Sequence, residues 1–227
     1  MGEMTTAEAS ALLGVSTRQT ARIVASGEIA VKRRAGSALL LDSESVQRAA
    51  QISRAPGRVW SEPVAWAAFT LLSGGDASWL AASQRTRLRH KLRNTTADEV
   101  AALGRHRARV HRFRVHTSAI AKVEEQLIVT GDSALSNPTL ASRFGLTAGR
   151  DRVDGYTTDA ELKWLVDTFG LVADPCGNAT VRVVRHTDAF GNGHTPLAAI
   201  ATDVMDSLST RERSAGRRVL QELLDAR

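Results

Sequence analysis

Residues 7–29 read AEASALLGVSTRQTARIVASGEI, and this stretch decides how the front of the chain folds. Just ahead of it, Thr5 or Thr6 can cap a helix whose apolar positions are Ala7, Ala9, Leu12 and Leu13, with Glu8 near the first turn. Gly14 ends that helix, because glycine tolerates the left-handed backbone of a helix C-terminus. Val15 fills the angle to a second helix, capped by Ser16 and running from Thr17 to about Ser26, with Thr20, Ile23 and Val24 turned inward. Gly27 stops it. The pattern predicts two short helices joined by a sharp turn, the second held with its first turn outward.

Beyond this pair, Ile29, Val31 and the run Leu39-Leu40-Leu41 flank residues 32–37, KRRAGS, within Glu28 to Asp42. That reads as a β-hairpin with a basic, glycine-containing tip. Ser43 is then expected to cap a helix reaching about Ile52. Residues 1–53 are therefore predicted to form a winged helix-turn-helix, a fold whose second helix enters the major groove of DNA. Arg18 has the geometry to hold guanine bidentately, Gln19 to hold adenine, and Ser16 or Thr17 to reach a phosphate, with Arg22 one turn on. Lys32, Arg33 and Arg34 on the wing suit adjacent phosphates or the minor groove.

Residues 53–57, SRAPG, punctuate the pattern as a boundary. A basic, mostly helical segment is expected over 58–120, with helices at Val64 to Leu72, Ala77 to Leu92, and Thr96 to Gly104, where Thr96 and Glu99 can form a capping box. Arg109 to His116 alternates basic and apolar residues as a strand does. Between Arg54 and Arg114 there are twelve Arg and Lys against four acids, so the net charge of +6 is concentrated there and the rest of the chain is slightly acidic. Such an excess is the footprint of a polyanionic partner. Arg85, Arg87, Arg89 and Lys91 are its densest run and are expected to hold phosphates.

A small α/β domain with closing helices is expected over 121–227. Its strands are Gln126 to Thr130, Arg152 to Thr157 and Ala179 to His186, and its helices Ser133 to Phe144, Thr158 to Phe169, Thr195 to Leu208 and Thr210 to Ala226. The apolar stripe of the last helix fits either a core or a dimer interface. The fold class is thus α+β and mainly helical.

Catalytic and metal chemistry find little footing. His186, Asp188 and His194 lie close together but match no metal-ligand spacing, and the intervening glycines read as a loop. Asp151, Asp154, Asp159 and Glu161 gather near a strand end, where capping the helix that opens at Thr158 accounts for them. Residues 145–150, GLTAGR, lack the Lys and Ser or Thr of a phosphate-binding loop. Cys176 has no partner thiol and no nearby histidine, so it is expected to be idle. Trp60, Trp66, Trp79 and Trp164 fall on apolar stripes and are expected in a core or an interface. No enzyme activity, cofactor or metal is expected. With no export signal and no apolar run of membrane length, the chain is expected to be cytoplasmic.

Residues 7–29 resemble the DNA-binding head shared by MerR-type regulators and phage excisionases, over about a fifth of the chain. Ser10 departs from the alanine usual at the helix crossing. The order of the head, RTRLRHKLR, DRVDGYTTDAELKWLVDTFGLVADPCGNATVRVV and DSLSTRERSAGRRVLQELL resembles actinobacterial regulators related to AbiEi-type antitoxins. That resemblance implies a sequence-specific transcriptional repressor acting on double-stranded DNA at its own promoter, with inverted repeats as one form of the site, and neutralising a nucleotidyltransferase-type toxin. The alternative reading is a protein-interaction adaptor or a stand-alone regulator localised on DNA.

Overall fold

The computed structural model describes residues 2–51, 58–147 and 151–227. The chain is an α+β protein, about half helical, with two sheets. The expected boundary at 53–57, the end of the preceding helix at Ile52 and the last residues of the 145–150 turn lie outside the described residues.

The head begins with β1 (Glu3–Thr5) and α1 (Thr6–Leu13). Thr5 is the cap. Its hydroxyl accepts from Glu8 N at 3.2 Å while Glu8 accepts from Thr5 N at 2.7 Å, so two donors at the helix start are satisfied reciprocally. Gly14 takes the left-handed conformation at φ 62°. α2 (Thr17–Ala25) opens at Ser16, whose Oγ accepts from Gln19 N at 3.2 Å. The hairpin β2 (Val31–Ala35) and β3 (Ala38–Asp42) turns at Gly36 and Ser37, with Gly36 at φ 61°. α3 (Ser43–Gln51) closes the unit. Its cap is Asp42 and not Ser43: the Asp42 carboxylate accepts from Ser45 N at 2.8 Å, and Ser43 is already helical. β1 was not foreseen. Three residues with only Met4 half-buried give no alternation to read.

The sheet order is β1-β3-β2, antiparallel throughout, over a core of Ala9, Ile29, Leu41 and Val46 with Leu13, Ile23 and Val24 packed against it. The β1-α1-α2-β2-β3 unit is compatible with a winged helix.

The rest of the chain runs α4 (Glu62–Leu72), α5 (Ala82–Leu92), α6 (Ala97–Leu103), β4 (Arg109–Arg114), α7 (Ile120–Glu124), β5 (Ile128–Val129), α8 (Gly131–Ala134), α9 (Pro138–Phe144), β6 (Val153–Thr157), α10 (Asp159–Phe169), β7 (Val172–Ala173), β8 (Ala179–Val183), α11 (Leu197–Met205) and α12 (Thr210–Asp225). The second sheet has the order β5-β6-β8-β4-β7. β6 and β8 are parallel and the other pairs antiparallel. β4, from the expected basic segment, is thus an interior strand of the sheet expected in the next one.

The core crosses the same line. Trp66 of α4 packs edge-on against Phe69, Tyr156 of β6 and Phe190, in one cluster with Leu88, Val100, Ile200, Val219 and Leu220. Residues on both sides of position 120 therefore share a single core. α11 and α12 cross so closely that a Cβ on Gly216 would stand 2.5 Å from the Ala201 carbonyl oxygen. On the opposite sheet face, Leu165 of α10 packs with Phe113, Val153 and Val181.

Two expected helices change shape for local reasons. Trp79 Nε1 donates to Pro63 O at 3.1 Å and Leu80 N to Ala77 O at 3.0 Å, holding 77–81 as a turn, so α5 starts five residues late. Ser133 to Phe144 divides at Asn137-Pro138. Asn137 Oδ1 accepts from Thr139 N at 2.9 Å and Pro138 opens a new helix, where its missing N–H costs nothing. No helix among the described residues is long and apolar enough to cross a membrane.

Candidate nucleic-acid interface

The surface of α2 follows from what its other side must do. Thr20 is fully buried, and its Oγ1 lies 2.8 Å from Ser10 Oγ across the helix crossing. Ser10 Oγ in turn donates to Thr6 O at 2.6 Å. Ile23 and Val24 pack on the head core. With that stripe fixed, Thr17, Arg18, Gln19 and Arg22 are all exposed. Ser16 is exposed too, but its oxygen is already engaged as the cap. Ser16, Thr17, Arg18 and Gln19 thus share the exposed N-terminal end of α2, and Arg22 is exposed in its last turn.

The wing is less uniform than its sequence. Every residue of β2 is exposed, and the register shifts between Val31 and Arg33, making Lys32 the bulged residue. Arg33 is held by Glu3 of β1, with Nε at 3.0 Å from Oε1 and Nη2 at 2.9 Å from Oε2. That hydrogen bonding keeps the Glu3 carboxyl below its usual range. A phosphate would have to compete with Glu3 for Arg33. Arg34, paired with Leu39 across the hairpin, is exposed.

Arg85, Arg87, Arg89 and Lys91 stand on α5, apart from the head's helices and strands. Arg85 and Arg89 both approach Asp76, at 3.9 and 4.0 Å. Arg87 Nε donates to Ser83 O at 3.3 Å, and the Lys91 ammonium sits 5.6 Å from the centre of the Trp60 ring. These are long, solvent-facing contacts, of the kind worth little against a competing anion.

The sequence reading missed a buried polar network. Asp203, on α11 with no side-chain exposure, accepts from Tyr156 Oη at 2.7 Å, Thr130 Oγ1 at 2.5 Å and Arg107, whose Nη2 makes the closest contact. Arg182 of β8 grips Asp154 with two nitrogens, Nε at 2.9 Å and Nη2 at 3.1 Å, and reaches Asp206 at 3.1 Å. Arg107 also bonds Asp206, at 2.8 Å. Burial alone would raise Asp203, but Arg107 and Arg182 outweigh it and hold the carboxyl below the usual range. Asp154 goes the other way, since burial exceeds the pull of Arg182. One signal for the network is visible in sequence: Asp203 interrupts the apolar stripe of Leu197, Ile200 and Val204.

Comparison with protein-family models, curated proteins and solved structures finds no match.

The acids expected to gather near β6 separate into unrelated contacts. Glu161 closes a capping box with Thr158, Asp159 pairs with Arg109, and Asp154 belongs to Arg182. Among the described residues, no group of three or more His, Cys, Asp or Glu side chains is placed to hold a metal ion. His186 packs edge-on to Trp79 at 4.9 Å, with its Nε2 3.7 Å from Asp188. Burial and the Asp42 carboxylate push the Cys176 thiol up to about 11, so it remains protonated. Trp60 and Trp66 are core and Trp79 packs against it, whereas Trp164 stays 49% exposed against Phe169.

Proposed function

We propose that the chain is a sequence-specific DNA-binding transcriptional repressor that acts on its own promoter and serves as the antitoxin of a toxin-antitoxin pair. The observation that carries the DNA-binding reading is the exposed first turn of α2, set by a cap, a buried hydroxyl pair and an apolar back. In this reading Arg18, Gln19 and Arg22 face base edges, Thr17 and Ser16 a phosphate, and Lys32 and Arg34 flank them from the wing. The α5 cations extend the electrostatic footprint on the body. The antitoxin role rests on the resemblance in segment order and assigns the body to a nucleotidyltransferase-type toxin.

Fluorescence anisotropy on the chain's own promoter tests the first part. Arg18→Ala should cost about 1–3 kcal/mol and relax preference at one base pair, while Arg87→Ala should weaken all sequences alike. Equal effects of the two substitutions on operator and random DNA would refute this division of roles. Co-expression with the product of the adjacent gene tests the second: a stable complex and restored growth are expected, and toxicity unchanged by this chain would remove the antitoxin reading.

A further inference from the structure

Arg112 occupies an unusual position on the face of the second sheet opposite α10. In the cross-strand register it shares a row with Thr180 and Asp154, and the next row holds Val110, Arg182 and Tyr156. Its neighbours are already committed. Both oxygens of Asp154 are taken by Arg182, and Asp206 Oδ2 is shared by Arg107 and Arg182. From the head, Arg48 of α3 donates Nη2 to Pro175 O at 2.8 Å, and its Nη1 lies 3.7 Å from the Glu44 carboxylate, a loose pair with which a phosphate would compete. The same loop is pinned to β4 by Asp174 N on Arg112 O at 3.0 Å, which draws a second guanidinium toward Arg112.

Among the described residues, no hydrogen bond or ion pair is made by the Arg112 side chain. Burial, with Arg48 and Arg182 as like charges, pushes its pKa down to about 10, which leaves it charged at neutral pH. The described side-chain atoms sealed from solvent without a hydrogen-bond partner are Thr70 Oγ1, His111 Nε2 and His186 Nε2. The Arg112 nitrogens are therefore still reachable. A half-buried guanidinium with five unfilled donors beside a second one favours an oxyanion, which planar guanidinium groups hold bidentately.

We propose that Arg112 and Arg48 clamp a phosphate group at the seam between head and body. A phosphate held there ties α3 to β4 and sets the angle at which α2 is presented. The group is either free phosphate or a phosphate of the bound duplex, and the site stands whether or not α2 reads sequence.

The test is a calorimetric titration of inorganic phosphate into the full chain, with chloride balancing ionic strength. Saturable binding is expected, at least about tenfold weaker in Arg112→Gln and in Arg48→Gln, which keeps a donor for Pro175 O, and unchanged in Lys122→Gln. Near-ultraviolet circular dichroism checks that each variant is folded. If free phosphate does not bind, Arg112→Gln must instead lower the slope of log affinity for promoter DNA against log salt by about one, which assigns the site to a duplex phosphate. The proposal is overturned if phosphate gives no isotherm that weakens in Arg112→Gln and the salt slope for promoter DNA is also unchanged by that substitution.

Discussion

Replacing Asp203 with alanine tests the buried network most directly. The substitution removes the acceptor of Arg107, Thr130 and Tyr156 at once, in a place with no side-chain exposure. Arg107 is left with Asp206, half in solvent, as its remaining anion, and Arg182 loses a carboxylate at 3.4 Å. Breaking a buried pair by deleting one partner costs about 3–5 kcal/mol, because the other charge stays buried without compensation. In a chain of this length each kcal/mol lowers the melting temperature by about 2–4 °C, so a fall of about 6–20 °C is expected. Asp206→Ala is the internal control: its carboxylate is partly exposed and both of its guanidinium partners keep Asp203, so it should cost clearly less than Asp203→Ala. Differential scanning calorimetry at neutral pH reads both. An Asp203→Ala protein that melts within about 2 °C of the parent would refute the claim that this network holds the sheet to α11.

Other perturbations have equally definite outcomes. Thr20→Val deletes the hydroxyl contact to Ser10 and should cost about 1 kcal/mol, read by urea denaturation, with a larger proportional loss of operator affinity than of affinity for random DNA. Gly216→Val forces α11 and α12 apart at the Ala201 carbonyl and should lower the melting temperature by several degrees, the overpacking cost being about 1–3 kcal/mol. His111 is held below its usual pKa by burial and then by Arg109, with Asp159 opposing. The unfolded chain therefore takes up a proton near pH 6.5 that the folded chain refuses, so stability should drop as pH falls through that value. Comparing urea midpoints at about pH 7.5 and about pH 5.5, His111→Gln should flatten that difference; an unchanged slope would contradict the assignment.

What could be read in the sequence was what is decided within a few residues. The capping box at Thr96, the helix starts at Thr5 and Thr158, the stop at Gly14 and the cap at Ser16 are all written in neighbouring side chains. Asp42 displaced Ser43 as a cap because both residue types cap well and only the end of β3 decides between them. β7, two residues long, exists because β4 offers it an edge, which no local pattern records. The polar network was hidden for the same reason: its members come from a turn, two strands and a late helix. Arg182 in particular sits between Val181 and Val183 as an outward strand residue would, yet the face it turns to is covered by α11.

The contact between α4 and α11 has a bearing on how the molecule comes to be made. Trp66 and Phe69 belong to an early helix, but part of their cover arrives with Ile200 and Leu220. Leu72 ends α4 and Leu197 opens α11 some 125 residues later, a delay of roughly 6–25 s at translation rates of about 5–20 residues per second. During that interval the nascent chain carries an incompletely covered aromatic face, so chaperone demand should fall on the body until α11 and α12 have emerged.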